Sequence, residues 1–564
     1  MPKGLKVNLV DPGVVTDAET KAPTGSEPAA FVAGAAPDPT STDTTPPPAT
    51  PTAPPSTVPE PPIVSRADWG ADESLSPDPS EYNADVKAVF VHHTDGAAYT
   101  CDQSASIVRG IYAFHTHAEP SGNGWNDIGY NFLVDKCGTV FEGRKGGVGL
   151  PVLGAHTYGW NRESTGIAVL GDYTSTSASS AALASVARVA AWKLGQYGAD
   201  PAGTVQLTTA ATQKNLSGAS FTAGGTYTFN RISGHRDGYA TECPGNSLYA
   251  QLPTIRSWAA GPVQGLKVAS VTGATLSGST YYAKGALTVK WTATTPGSLI
   301  KNFQLLVDGR TVATTPGTAT SASATVAAGK HTVAVRAVHQ SGKTTTTAAL
   351  NVTAETTAPT FTTTPKLALR GGTVNTAAVP VTLSWKATDD TALRSVQLLS
   401  PTTAAFGPTT TSSARTARSG TASTWSMRAD DYAGNSRTSS ASYTPVILQE
   451  SSAAKSGSWT TRSSSSYLGG KSYSSASKSA SLTWTFTGRS AAWVVSRAST
   501  SGQAYVYVDG TKVATVDLKS SATQYRQAIW TKTWSSSAKH TVKIVVVGTS
   551  GRPTITTDGL VYIK

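Results

Sequence analysis

The chain has 564 residues with 46 Lys and Arg against 34 Asp and Glu, a formal net charge of +12. That length accommodates about three to five domains at roughly 100–200 residues each. No apolar run approaches the ~20 residues that a membrane-crossing helix needs, so the expectation is a chain with no membrane span. Charged residues are only 14% of the chain, below the usual ~25%, and Ser, Thr, Ala and Gly fill the gap as in many extracellular β-rich modules. The charge is uneven. Residues 1–60 hold 3 basic and 7 acidic side chains, residues 61–260 hold 13 and 17, and residues 261–564 hold 30 and 10. A basic half joined to a mildly acidic half points to a tail that meets a polyanion, with simple solubility as the bland alternative. The opening MPKGLKVNLVDPG has no apolar h-region, so no secretion signal is visible in this sequence.

Residues 1–62 are expected to be disordered, because the Pro-, Thr-, Ala- and Ser-rich stretch from Ala36 to Pro62 buries too little apolar surface to offset its ordering entropy. Residues 63–260 read as one mixed α/β domain. Val86–Val91 is a short apolar run before Thr94-Asp95-Gly96 and predicts a buried strand. Gln103–His117 places Ile107, Ile111 and Phe114 at helical spacing. Tyr130–Val134 and Thr139–Phe141 flank Lys136-Cys137-Gly138 as a hairpin, and Gly166–Leu170 predicts another buried strand. Ala181–Tyr197 predicts a helix with Leu183, Val186, Ala190 and Leu194 on one face. Gly203–Thr228 reads as a loop excursion. Asn246–Trp258 reads as a closing helix that Pro253 should kink or delay.

From about Gln264 onward, Val-, Thr-, Tyr- and Trp-rich segments alternate with Gly, Asp and Ser turns, and no helix is expected. Leu305–Thr314 (LLVDGRTVAT) and Val506–Thr515 (VYVDGTKVAT) echo each other. Each centres on Asp-Gly, the strongest short hairpin signal, and each precedes a Lys-His-Thr-Val strand start, at Lys330 and Lys539. Modules are expected at 264–354, 356–447 and 448–564, all of them β-sandwiches. The first two resemble bacterial immunoglobulin-like repeats, with Asp430–Ser436 (DDYAGNS) as a late-strand turn. The third is a jelly-roll-like wall- or carbohydrate-binding candidate. It carries 14 basic and 4 acidic residues. Its tryptophans Trp459, Trp484, Trp493, Trp530 and Trp534 suit either a core or sugar stacking.

The chemistry concentrates in 63–260. His92 and His93 stand at the carboxyl end of the first predicted strand. Adjacent strand residues face opposite ways, so at most one of them points into a given site. His156 lies in Gly154-Ala155-His156-Thr157. His235 and Cys243 stand eight residues apart, enough for a loop to return to one ion. Taken singly, each reads more simply as structural: a lone histidine is usually a core histidine and a lone cysteine a packed thiol. Together, two imidazoles and a thiolate are what a catalytic zinc takes, with a fourth position left for water. Of the three cysteines, two are able to pair, leaving one that is free, reactive or metal-bound.

The motifs SRADWGA (Ser65–Ala71), VHHT (Val91–Thr94), GWNDIGYNFLV (Gly124–Val134), EGR (Glu142–Arg144), GAHTYGWN (Gly154–Asn161) and GHRDGYATECPG (Gly234–Gly245) resemble, in order, those of peptidoglycan recognition proteins and the related phage-lysozyme-type N-acetylmuramoyl-L-alanine amidases. The resemblance covers roughly 63–260. It implies a central mixed sheet flanked by helices, with a zinc ion on the floor of a groove. His92, His235 and Cys243 then match the metal ligands, and His93 is structural or supports them. Tyr130 matches a catalytic tyrosine. Thr241 matches a second catalytic position, the polar residue two before the cysteine, which is a lysine in the phage enzymes and a threonine in many other members. As Thr241 is a poor acid, the proton donor to the leaving amine stays unassigned. His115, Arg144, His156 and Asn161 are expected along the groove as substrate contacts. A disulfide near the groove is also implied, which Cys101 and Cys137 fit in an oxidising compartment.

The implied activity is zinc-dependent hydrolysis of the amide between N-acetylmuramic acid and L-alanine in peptidoglycan, by a protein that is secreted or wall-associated. Peptidoglycan is the expected partner, joined by anionic wall polymers at the basic modules. Nucleic acid is not expected, for want of a recognition motif. The alternative reading is a non-catalytic peptidoglycan-binding receptor or adhesin.

Overall fold

The computed structural model describes residues 51–118 and 121–564. Most of the segment expected to be disordered, residues 1–50, lies outside them. The described residues divide into two compact units. One runs to Thr272 and includes Leu287–Ala324 and Thr332–Leu350; the other comprises Gly273–Ala286, Thr325–His331 and Asn351–Lys564.

In the first unit, a five-stranded sheet is built from β1 (Ala88–His93), β2 (Phe132–Val134), β3 (Val140–Glu142), β4 (Ser164–Val169) and β5 (Ile232–Gly234) in the order β3-β2-β4-β1-β5. β1 runs parallel to β4 and β5, β2 runs parallel to β4, and β2 and β3 form the expected antiparallel hairpin. Three helices cover it: α1 (Ser104–Thr116), α2 (Ser180–Gln196) and α3 (Asn246–Ala260). All six residues of β1 are buried, as expected for a strand covered on both faces.

The period-2 alternation sorts the core. Val89 and Val91 of β1, Phe132 and Val134 of β2, and Ile167 and Val169 of β4 pack with α2 and α3. On the opposite face, Leu133 and Ala168 pack with Val108, Ile111 and Tyr112 of α1 and with Trp69 and Tyr130. Ala88 and Phe90 pack there against Trp160, Leu207, Phe221 and Phe229. His92 therefore belongs to the α1 face and His93 to the α2–α3 face.

Three sequence expectations are revised. Gly203–Thr228 is not an open loop: Thr204–Thr208 pairs antiparallel with Thr226–Asn230, and Gln213–Lys214 pairs with Ser220–Phe221. Leu207, Phe221 and Phe229 turn inward onto Trp160 and Phe90, so its alternating apolar residues find a face to cover. α3 runs unbroken through Pro253, held by buried Leu248, Leu252 and Ile255. Residues 51–62 are not wholly loose. Val58 is buried with the α2 side chains, and Ser56 Oγ donates to Trp192 O at 2.8 Å.

Beyond Ala260 the described residues contain strands and short 3-10 turns but no α-helix. Both Asp-Gly hairpins form, Ile300–Val307 with Arg310–Pro316 and Gln503–Val508 with Thr511–Asp517. Asp308, Gly309, Asp509 and Gly510 all have positive φ, between 49° and 83°, as a two-residue type I′ turn requires. The echo extends to the side chains: Asp308 Oδ1 accepts from Thr332 N at 2.8 Å and Asp509 Oδ1 from Thr541 N at 2.7 Å. In the second unit, Leu383, Trp385, Trp425 and Met427 share one core with Ala492, Val494, Val561 and Ile563. That core crosses the boundary expected at 447/448. No helix among the described residues is long and apolar enough to cross a membrane.

Candidate metal centre

β1 delivers His92 to the carboxyl edge of the sheet. β5 ends at Gly234, where the chain turns into the short helix His235–Gly238. Asp237 caps that turn, its Oδ2 accepting from Gly234 N at 2.9 Å and its Oδ1 from the Tyr249 hydroxyl at 2.6 Å. The chain then returns. Arg236 N donates to Cys243 O at 3.0 Å, and Thr241 Oγ1 accepts from Cys243 N at 3.2 Å. These bonds close the eight-residue loop and bring Cys243 Sγ back beside His92.

One ligand atom each from His92, His235 and Cys243 lies within 4.8 Å of the others. The three residues are 0%, 1% and 2% exposed. Cys243 Sγ stands 3.8 Å from His92 Nδ1 and accepts from His93 N at 3.4 Å. Neither ring nitrogen of His235 has a hydrogen-bond partner, although both are buried. Buried imidazole nitrogens are normally satisfied, so this pair marks a place where a bonding partner belongs. Burial depresses His92 well below the usual histidine range and His235 to about 3, and pushes the Cys243 thiol up to about 12.

His92 Nε2 faces His156 Nδ1 at 3.3 Å and Thr157 Oγ1 at 3.4 Å. His156 is wholly buried, with its Nδ1 3.0 Å from Thr157 Oγ1 and its Nε2 unpartnered. Its ring rests on two glycines. A Cβ on Gly166 would stand 2.4 Å from His156 Cγ, and one on Gly154 would stand 2.6 Å from Cδ2. Asn161 Oδ1 accepts from both His156 N and Thr157 N at 2.8 Å, so it shapes the loop from within. Tyr130 is buried, its ring centroid 5.2 Å from that of His92 and 5.7 Å from that of His115. His115, on α1, is buried against Trp125, and its Nδ1 accepts from Gly129 N at 3.2 Å. Arg144 is half-buried and donates to Ile128 O at 3.3 Å.

His93 stands apart from the cluster. Its Nδ1 accepts from Tyr173 N at 3.1 Å, which keeps the ring neutral 3.8 Å from Asp172. Burial holds it at about 4. The disulfide joins Cys101, in the turn before α1, to Cys137 in the β2–β3 hairpin. Three contributors lie outside the sequence reading: Thr157, the His93 backbone N–H, and the pair Gly154 and Gly166. Only Gly154, Thr157 and His93 had a signal, as neighbours of residues already singled out.

A helix-flanked mixed sheet carrying a buried His–His–Cys cluster at its carboxyl edge defines the class. The family described as N-acetylmuramoyl-L-alanine amidase matches residues 82–246. The chain is 31% identical over 200 residues to peptidoglycan-recognition protein SC2 of Drosophila simulans, covering 35% of this chain and 88% of that protein. It is 29% identical over 201 residues to the N-acetylmuramoyl-L-alanine amidase of Homo sapiens, covering 35% of this chain and 28% of that one. Among solved structures, Drosophila PGRP-LB is 27% identical with a TM-score of 0.26, covering 34% of this chain and 92% of that one. The chain belongs to the peptidoglycan-recognition protein and N-acetylmuramoyl-L-alanine amidase family.

Proposed function

We propose that the chain is a zinc-dependent N-acetylmuramoyl-L-alanine amidase that hydrolyses the amide between the lactyl group of N-acetylmuramic acid and L-alanine in peptidoglycan. The observation that carries this reading is the convergence of His92, His235 and Cys243 within 4.8 Å, with both His235 nitrogens unpartnered. The donor set fits the metal: two imidazoles and a cysteine sulfur that would bind as thiolate, with a fourth position left for water. Zinc, when bound, lowers the pKa of water toward 7 and polarises a carbonyl.

The residues of this chain supply the rest. With the metal on His92 Nδ1, which faces Cys243, the Nε2 side would carry the proton and donate toward His156 Nδ1 and Thr157 Oγ1. The His93 amide stabilises negative charge on Cys243 Sγ. The Tyr130 hydroxyl acts as donor to the developing oxyanion, a contribution of about 3–4 kcal/mol when well placed. Thr241 serves by holding the backbone of Cys243. Of the expected substrate contacts, Arg144 is the one left half-buried to meet sugar or peptide, while the buried His115, His156 and Asn161 shape the site from within. Family relatives named as recognition proteins and as amidases support peptidoglycan as the ligand. The disulfide and the substrate support a secreted or wall-associated protein.

The modules at 264–354, 356–447 and 448–564 are proposed as immunoglobulin-like and jelly-roll-like sandwiches that hold the enzyme to the wall. Residues 448–564 hold 14 basic against 4 acidic residues, a charge that suits anionic wall polymers. The test of the zinc assignment is metal content with activity. Wild type purifies with one zinc per chain; chelation abolishes release of stem peptide from sacculi and zinc restores it. A Cys243→Ala protein that folds, lacks zinc and still cleaves at the wild-type rate defeats the proposal. Binding without cleavage by zinc-loaded wild type favours the receptor reading.

A further inference from the structure

We propose that Glu355, Asp389 and Asp431 form a calcium site, separate from the histidine–cysteine cluster. The three come from distant points of the chain. Glu355 directly follows strand Leu350–Ala354, and its N donates to Ala283 O at 2.9 Å. Asp389 follows strand Val379–Thr388, and Asp431 ends strand Ser423–Asp431. One carboxylate oxygen from each lies within 4.8 Å of the others. Calcium binds oxygen at about 2.3–2.6 Å, so ligands across one ion stand up to ~5 Å apart and the spread fits a single coordination sphere.

Two features distinguish this cluster from exposed acidic groups. First, two of its three members are buried: Glu355 is 6% exposed and Asp431 0%. Second, its oxygens are incompletely satisfied. Glu355 Oε1 and Asp389 Oδ2 are buried with no hydrogen-bond partner. Glu355 Oε2 accepts from Thr391 Oγ1 at 2.6 Å, and Asp389 Oδ1 from Thr391 N at 3.0 Å and Ala392 N at 2.8 Å. Asp431 is held by Asn435, through N at 2.7 Å and Nδ2 at 2.9 Å. Asp390 adds a fourth like charge close to Glu355. Carboxylates crowded together with buried oxygens left unpartnered are costly unless a cation sits among them. The donor set is all oxygen, which disfavours zinc. It is also rich in carboxylates and irregular in origin, which suits calcium better than the short, strictly octahedral shell of magnesium. The bound ion ties the segment after Leu350–Ala354 to the ends of two strands of the following sheets.

The test uses the full chain, by equilibrium dialysis against radiocalcium and by thermal unfolding with and without calcium chloride. Wild type binds one calcium per chain, with a Kd of about 10⁻⁴–10⁻³ M as in extracellular modules, and unfolds at a higher temperature when calcium is present. Asp389→Asn, a partly exposed position, unfolds no lower than wild type without calcium, because one like charge is gone. It binds calcium at least about tenfold more weakly and loses the thermal shift. Glu355→Gln behaves the same way. Cys243→Ala keeps wild-type calcium binding, which separates this site from the zinc proposal. Absence of calcium binding by wild type, wild-type affinity in folded Asp389→Asn, or equal stabilisation by magnesium overturns the assignment.

Discussion

Replacing Gly166 by alanine tests how the sheet positions the cluster. Gly166 lies on β4 opposite Phe90 of β1, and the His156 ring lies directly on its backbone. The added methyl carbon would stand 2.4 Å from His156 Cγ, 2.6 Å from Cδ2 and 2.9 Å from Cβ. Carbon atoms in contact sit about 3.5–4.0 Å apart, so the overlap is about 1 Å. Neither side yields easily: β4 is flanked by β1 and β2, and the His156 backbone is pinned by Asn161. Overpacking of this kind costs about 1–3 kcal/mol, where Gly→Ala in an unobstructed strand would instead gain roughly 0.5–1 kcal/mol. The assay is urea unfolding of Gly166→Ala, His156→Ala and the double variant. Removing the ring deletes the two closest contacts, so Gly166→Ala should cost less in the His156→Ala background, with a coupling of about 1 kcal/mol or more. The displaced ring also releases His92 Nε2, so Gly166→Ala should hold zinc more weakly. A neutral Gly166→Ala, or costs that add to within about 0.5 kcal/mol, would refute the reasoning.

The Cys101–Cys137 disulfide spans 36 residues, a loop whose closure is worth about 3–4 kcal/mol in the chain-entropy model. Cys101→Ala with Cys137→Ala should lower the unfolding free energy by that amount in denaturant titrations, and a loss below about 1 kcal/mol contradicts the estimate. Acid should destabilise the zinc-free protein. His115, His156 and His235 are held neutral at about 3 and His93 at about 4 by burial, while the unfolded chain protonates them near pH 6.5. Their folded values are depressed, so stability is complete above about pH 6.5 and falls with pH down to about 3, by on the order of 1 kcal/mol per histidine per pH unit. A urea midpoint unchanged between pH 7 and pH 5 would contradict this.

Much of the site was legible because it follows from local rules. Strand alternation places His92 and His93 on opposite faces, and Asp-Gly at 308–309 and 509–510 specifies the hairpins that form. Choosing His92 over His93 required resemblance, since alternation alone does not say which face holds His235. Long-range packing was not legible. The strands within 203–230 show only short alternation, and their role depends on Trp160 and Phe90, far away in sequence. Val58 lies in a proline-rich stretch and gains its place from α2. The core joining 356–447 to 448–564, and the meeting of Glu355, Asp389 and Asp431, likewise arise only when distant strands come together.

The central claim is the bond cleaved. Mass spectrometry of the soluble products from purified sacculi, digested by the full chain and then by muramidase, reports it directly. The account predicts free stem peptides beginning with L-alanine and glycan fragments with unsubstituted lactyl groups, both absent with Cys243→Ala. Intact muropeptides from the wild-type digestion, or cleavage within the stem peptide or the glycan, would contradict it.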